Sequence, residues 1–211
     1  MSGGLFIVIE GPEGAGKSTL ASALADRLRG AGHDVVSVRE PGGTGPAELA
    51  RQALLDPSSH LDPQTELLFV AAARAHLVQA VIRPALDAGR TVVSDRYDLS
   101  TVAYQAAGRG LPADMVATVN RTATRGLAPD LTLVLDVPPT EGRRRQLAVG
   151  KGTDRFERED EAFHERVRAA YQAARGERIV HLDATETPQA VLDAAWAAVE
   201  ERAGARGAGA D

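Results

Sequence analysis

The sequence predicts an α/β domain: a five-stranded parallel sheet with helices on both faces. Three observations carry this. Short β-rich apolar runs recur along the chain, helix-like segments separate them, and a glycine-rich octapeptide sits between the first run and the first helix. Nearly continuous apolar strands belong to a parallel sheet covered on both sides, and strict alternation with helices argues for double winding. In order, the apolar runs at residues 5–10, 35–39, 91–95, 131–137 and 179–182 are read as strands. The helical segments are 18–29, 47–55, 63–87, 99–105, 113–125, 140–148, 159–174 and 188–203. Ligands of such sheets gather at the carboxyl ends of the strands. There the sequence places the glycine loop, Arg39-Glu40-Pro41, Asp95-Arg96-Tyr97 and Asp136.

At 211 residues the chain suits one domain with one sizeable core, taken as residues 1–203 with a flexible tail at 204–211. A net charge of −5 leaves no electrostatic footprint for a nucleic-acid polymer or an anionic membrane. Any nucleic-acid chemistry therefore concerns monomers. The absence of cysteine excludes disulfides and thiolate metal sites. With no leader-like pattern at the N-terminus, the expected protein is soluble and cytoplasmic. Only two of the 24 Lys and Arg side chains are lysines, Lys17 and Lys151.

The octapeptide Gly11-Pro12-Glu13-Gly14-Ala15-Gly16-Lys17-Ser18, followed by Thr19, has the strand, glycine loop and helix order of a phosphate-binding P-loop. Glycines let successive backbone N–H groups turn inward around an anion, and the helix N-terminus adds partial positive charge. Lys17 is expected to reach the β- and γ-phosphates of a nucleotide and Ser18 to ligate Mg²⁺. Asp95, at the tip of a buried strand, would share the Mg²⁺ shell, since hard cations seek carboxylates beside phosphate oxygens; a helix-capping role also fits it. Arg96 offers a planar fork to a monophosphate, with Arg39 and Arg51 as further members of the clamp.

Beyond the P-loop, several features occur in a fixed order. They are an acidic third loop residue, the segment Arg39-Glu40-Pro41-Gly42-Gly43-Thr44, and Phe69 with Arg74 on the long helix. Next come Asp95-Arg96-Tyr97 followed by Ser100, Thr101, Tyr104 and Gln105, then Asp154-Arg155-Phe156-Glu157, and last Asp183-Ala184-Thr185. With these the chain resembles thymidylate kinases nearly end to end.

The resemblance implies a P-loop NTPase fold with a mobile lid, a homodimer, and transfer of phosphate from ATP to dTMP. It implies a dTMP site made of Glu13, Arg39, Arg51, Phe69, Arg74, Arg96, Ser100, Thr101, Tyr104 and Gln105. Phe69 would stack on the pyrimidine, although its apolar helical face also fits a core role. Arg74 would donate to thymine O4, Tyr104 would crowd the ribose 2′ position, and Glu13 would approach the 3′-OH. For ATP it implies the loop 11–19, one of Arg143 or Arg144 over the adenine, and the Asp183 to Thr185 loop.

Some members carry a catalytic arginine in the P-loop, but Pro12, Glu13 and Ala15 supply none, so the cation is expected from the lid. Candidates are Arg143, Arg144, Arg145, Lys151 and Arg155, and a finger of this type is worth about 10³–10⁵ in rate. Lid-arginine members tend to place an arginine where this chain has Val149. Arg155 is the expected substitute, with Lys151 as helper. The five histidines show no metal-ligand spacing, and Glu157, Glu159, Asp160 and Glu161 read as a solvated helix start. A guanine-specificity Asn-Lys-x-Asp motif is absent, which argues against a GTP-driven switch.

Overall fold

A computed structural model describes residues 4–149 and 154–208. Lys151 lies outside the described residues. Five parallel strands, β1 (Phe6–Glu10), β2 (Val35–Arg39), β3 (Thr91–Asp95), β4 (Leu131–Asp136) and β5 (Ile179–Asp183), form one sheet in the order β2-β3-β1-β4-β5. β1 is central and buried along its whole length. Its side chains alternate between the two faces.

Ile7 and Ile9 join Leu131, Leu133 and Leu135 against α1 (Lys17–Gly30) and α9 (Pro188–Ala208), through residues such as Leu24 and Ala195. Phe6 and Val8 face the opposite way, onto Leu77, Val78 and Ile82. Those belong to a 25-residue helix, Pro63–Asp87. It is built from α3 (Pro63–Leu77), a π-helical stretch (Val78–Ile82) and α4 (Arg83–Asp87). Asp62 starts it by accepting from the backbone N–H groups of Gln64 and Thr65, and Pro63 follows in the first turn. The helix is long and apolar enough to cross a membrane by length and composition. It nonetheless carries buried Glu66 and Arg74 and packs on α2 (Gly45–Leu55) and α6 (Ala113–Thr124), as a core helix of a globular domain does.

A third apolar cluster forms where α8 (Glu161–Ala173) meets the helical stretch after β3. That stretch is α5 (Asp98–Thr101) continued as a π-helical segment, Val102–Gly108. α7 (Pro139–Val149) follows β4. Every expected strand and helix is present, with ends within three residues of expectation except at the C-terminus, where α9 runs to Ala208. Alanines 203, 205 and 208 favour helix there, and α9 continues through residues 204–208 of the expected tail; residues 209–211 lie outside the described residues.

Candidate active site

The loop after β1 turns at Gly11, Gly14 and Gly16, with φ of 140°, 72° and 88°. Only glycine takes such values without strain. Lys17 opens α1, and its Nζ donates to the Pro12 carbonyl at 2.7 Å. Burial, with Arg96 close by, pulls Lys17 down to about 7. A polyanion in the loop would oppose that pull.

Parallel pairing sets Asp95 beside Ile9, so the carboxylate ends next to the loop. Ser18 Oγ donates to Asp95 Oδ2 at 2.5 Å. A hydroxyl and a carboxylate in contact on the cavity wall fit Mg²⁺, which takes one or two protein oxygens and fills its shell with phosphate and water.

One cavity of about 870 Å³ runs from this loop along the carboxyl ends of β2 and β3. Arg96 stands in it with φ 74°, a left-handed conformation that is rare outside glycine. Its guanidinium donates to Gly11 O, Ser100 Oγ, Tyr171 Oη and Tyr104 Oη, at 3.2–3.3 Å. Glu10 explains why the chain folds this way. Fully buried, it accepts from the N–H groups of Tyr97 and Ser100 and from Ser100 Oγ, which fixes the turn around Arg96. Burial pushes the Glu10 carboxyl up, against the pull of Ser100 and Arg96.

Tyr104 is buried beneath Arg96, and its hydroxyl donates to Glu13 Oε1 at 3.4 Å. Glu13 Oε2 has no hydrogen-bond partner among the described residues. Arg39 pairs with Glu48 through Nη2 at 2.9 Å, and Arg51 donates to the Pro41 carbonyl at 2.9 Å. Both also line the cavity.

Arg74 is 1% exposed and forms part of the cavity wall. Nε donates to Glu40 Oε2 at 2.7 Å, Nη1 to Thr101 Oγ1 at 2.7 Å and Asn120 Oδ1 at 2.6 Å, and Nη2 to Tyr97 O at 2.8 Å. Ser100, Thr101 and Gln105 line the same space, Gln105 donating to Glu66 at 2.7 Å.

Phe69 does not join them; it packs against Ala47, Ala50 and Ala73 under α2. The reason is helical spacing. Five residues separate Phe69 from Arg74, and five steps of about 100° turn the ring off the Arg74 face. Val70, four residues before Arg74, takes the cavity position instead.

The lid side is anchored by backbone packing. A Cβ on Gly14 would lie 2.2 Å from Gly142 O, and one on Gly142 would lie 2.4 Å from Glu13 O. The first turn of α7 therefore rests directly on the phosphate loop. Arg143 follows, exposed and on the cavity wall. Arg145 also lines the cavity, clamped between Glu141 at 2.8 Å and the Ala184 carbonyl at 2.9 Å.

Arg144 turns away to the Glu141 carboxylate at 2.7 Å. Asp183 caps its own turn by accepting from Thr185 N–H and Oγ, and both residues line a separate small groove beside Asp136. Asp136, expected at the ligand edge, is spent on Arg168 at 2.8 Å in that groove. This end of the cavity is lined by Arg145, Ala184, Pro188 and Val191, and Arg144, Asp183 and Thr185, expected around the adenine, are not on its wall.

Arg155 is likewise held elsewhere. Nη2 pairs with Glu66 at 2.6 Å and Nε donates to Leu54 O at 3.0 Å. Of the acidic residues after the lid, Asp160 and Glu161 are exposed at the start of α8 as expected, whereas Glu157 and Glu159 are partly buried and engaged. Glu157 lines the cavity, Glu159 pairs with Arg109 at 2.6 Å, and Asp160 caps α8.

A phosphate loop, a serine–carboxylate pair and a buried arginine beside a tyrosine thus share one cavity. The thymidylate kinase family model matches residues 9–195 of the chain. The thymidylate kinase of Deinococcus radiodurans is 46% identical over 205 residues, covering 96% of this chain and 99% of its own length. That of Thermomicrobium roseum is 49% identical, covering 93% and 94%. That of Pseudomonas putida GB-1 is 50% identical, covering 94% and 98%. The chain belongs to the thymidylate kinase family.

Within this thymidylate kinase framework, several residues carry the site without a local signal in the sequence. Glu10 reads as the end of a strand, and Tyr171 and Asn120 as helix residues far from any motif. Glu66 accepts from Gln105, Arg109 and Arg155 at once, a convergence that only tertiary packing creates. Four-residue spacing puts Val70 on the Arg74 face and Arg145 on the Glu141 face, but which face meets the cavity is decided by packing.

Proposed function

We propose that the chain moves the γ-phosphoryl group of ATP onto a 5′-phosphate oxygen of dTMP, giving dTDP and ADP, with Mg²⁺ as the neutralising ion. Kinases of this family serve dTTP synthesis. The observation that carries the reading is the continuity of one cavity from the phosphate loop to Arg96, Tyr104 and Arg74. Donor and acceptor phosphates can then lie in line without a covalent enzyme intermediate, and positioning with charge neutralisation supplies the rate.

In this reading the loop 11–19 and Lys17 hold the ATP phosphates, and Arg145 with Ala184 borders the adenine. Mg²⁺, held by Ser18 and Asp95, would neutralise charge on the β- and γ-phosphate oxygens. Arg96, Arg39 and Arg51 grip the dTMP phosphate. Glu13, whose Oε2 is without a partner, takes the sugar 3′-OH, and Tyr104 crowds the 2′ position. Arg74 donates to thymine O4, Ser100, Thr101 and Gln105 complete the wall, and Val70 covers the ring.

We assign the lid cation to Arg143, because the neighbouring Gly142 rests on Gly14 and Glu13. Arg155 fastens the base of the lid to α2 and α3.

Leu68 is 61% exposed on the long apolar helix, and Val102 is 38% exposed on the π-helical segment after α5. These two side chains support a homodimer, and a cytoplasmic location accords with charged nucleotide substrates. ADP release measured with ATP and Mg²⁺ against dTMP, dUMP, dCMP, UMP and thymidine should be fastest with dTMP. Slow hydrolysis independent of any acceptor would overturn the reading.

A further inference from the structure

We propose that Asn120, on α6 and outside the cavity wall, is a positioning residue that fixes the Arg74 guanidinium and so sets selectivity for the pyrimidine edge. The proposal rests on the reading of Arg74 as the donor to the base.

A guanidinium has five N–H donors. Arg74 commits four of them: Nε to Glu40, both Nη1 hydrogens to Thr101 and Asn120, and one Nη2 hydrogen to Tyr97 O. One N–H remains. An arginine on the cavity wall with a single uncommitted hydrogen presents one donor in one orientation. That matches the lone O4 acceptor of thymine and opposes the amino donor cytosine carries at that position.

Asn120 secures this arrangement because its own orientation is fixed. It is 7% exposed, and Nδ2 donates to the Asp98 carbonyl at 2.9 Å. The amide nitrogen is thereby assigned to Asp98, which leaves Oδ1 for Arg74. Asn120 thus links the first residue of α5 to the guanidinium. Thr101 alone would hold only one of the two Nη1 hydrogens.

Removing the amide oxygen frees a second N–H and lets the guanidinium swing. A mobile two-donor arginine can also donate to the ring N3 acceptor of cytosine. The variant should accept dCMP more readily and bind dTMP less tightly.

The test compares kcat/KM for dTMP and dCMP in the wild type, Asn120→Ala, Asn120→Ser, Arg74→Ala and the double variant Arg74→Ala with Asn120→Ala. Tm is recorded for each. Asn120→Ala should lower the dTMP over dCMP ratio about tenfold, chiefly through the KM for dTMP, with the KM for ATP unchanged. Asn120→Ser, which disturbs packing less, keeps the test usable should the alanine variant fold poorly, and it should fall between. In the Arg74→Ala background, Asn120→Ala should cause no further loss of selectivity. A lowered Tm with an unchanged ratio in both Asn120 variants would make Asn120 a structural residue only and overturn the proposal. An unchanged ratio in Arg74→Ala would instead overturn the base contact beneath it.

Discussion

Glu66 and Arg155 form a 2.6 Å ion pair between α3 and the chain that follows the lid, and Glu66 is fully buried. The same carboxylate accepts from Arg109 and Gln105. Removing it leaves Arg155 without a carboxylate and Arg109 with Glu159 alone, in a poorly solvated wall, which is costlier than losing a surface pair. Glu66→Ala should therefore lose about 3–5 kcal/mol of stability, read from urea denaturation. A loss within the error of the wild type would show that water replaces the carboxylate.

The same pair separates two roles for the lid arginines. Arg143→Ala should lower kcat by up to about 10³ while changing the KM for ATP only a few-fold. Arg155→Ala should lower Tm and leave kcat within about tenfold. The reverse pattern in steady-state kinetics would return the cation to Arg155.

Helical phase gives the next expectation. Val70 shares the Arg74 face, whereas Phe69 packs beneath α2. Val70→Ala should raise the KM for dTMP about tenfold with little change in Tm. Phe69→Ala should cost about 2 kcal/mol, below the fully buried range because the ring is partly exposed, and leave the KM for dTMP unaltered. A KM effect confined to Phe69→Ala would place the ring against the base.

Burial pushes the Glu40 carboxyl up from its ordinary value of 4.5 to about 7, against the pull of Arg74. A carboxyl with a raised folded pKa holds its proton longer in the folded chain. Its contribution is complete below pH 4.5 and is lost as pH rises towards 7, so stability falls through that window. Glu40→Gln cannot ionise and should flatten the slope. Tm measured between about pH 5 and 7 should fall more steeply in the wild type than in Glu40→Gln; parallel slopes would contradict the assignment.

Much of this was legible before any coordinates. The five strands follow from apolar runs that only a doubly covered sheet can bury, and the glycine loop follows from its spacing. Asp95 and Arg96 were placed by their position at a strand end. Legibility stopped where function depends on side-chain direction. Phe69 and Val70 are neighbours in sequence yet face different elements, and of the arginines 143, 144 and 145 the first and last line the cavity while the middle one does not. Arg155 sits in a motif, but Glu66, some 90 residues earlier, decides where its charge goes. Asn120 carries no motif at all; its importance arises from a buried guanidinium that needs a fourth acceptor.

If one cavity brings ATP and dTMP together, the phosphoryl group passes directly from one to the other. The most direct test supplies γ-³²P-labelled ATP, Mg²⁺ and dTMP and follows the label by chromatography. Label should appear in dTDP and be lost when dTMP is replaced by thymidine, which lacks the acceptor phosphate. Label appearing only as inorganic phosphate, at a rate indifferent to dTMP, would contradict it.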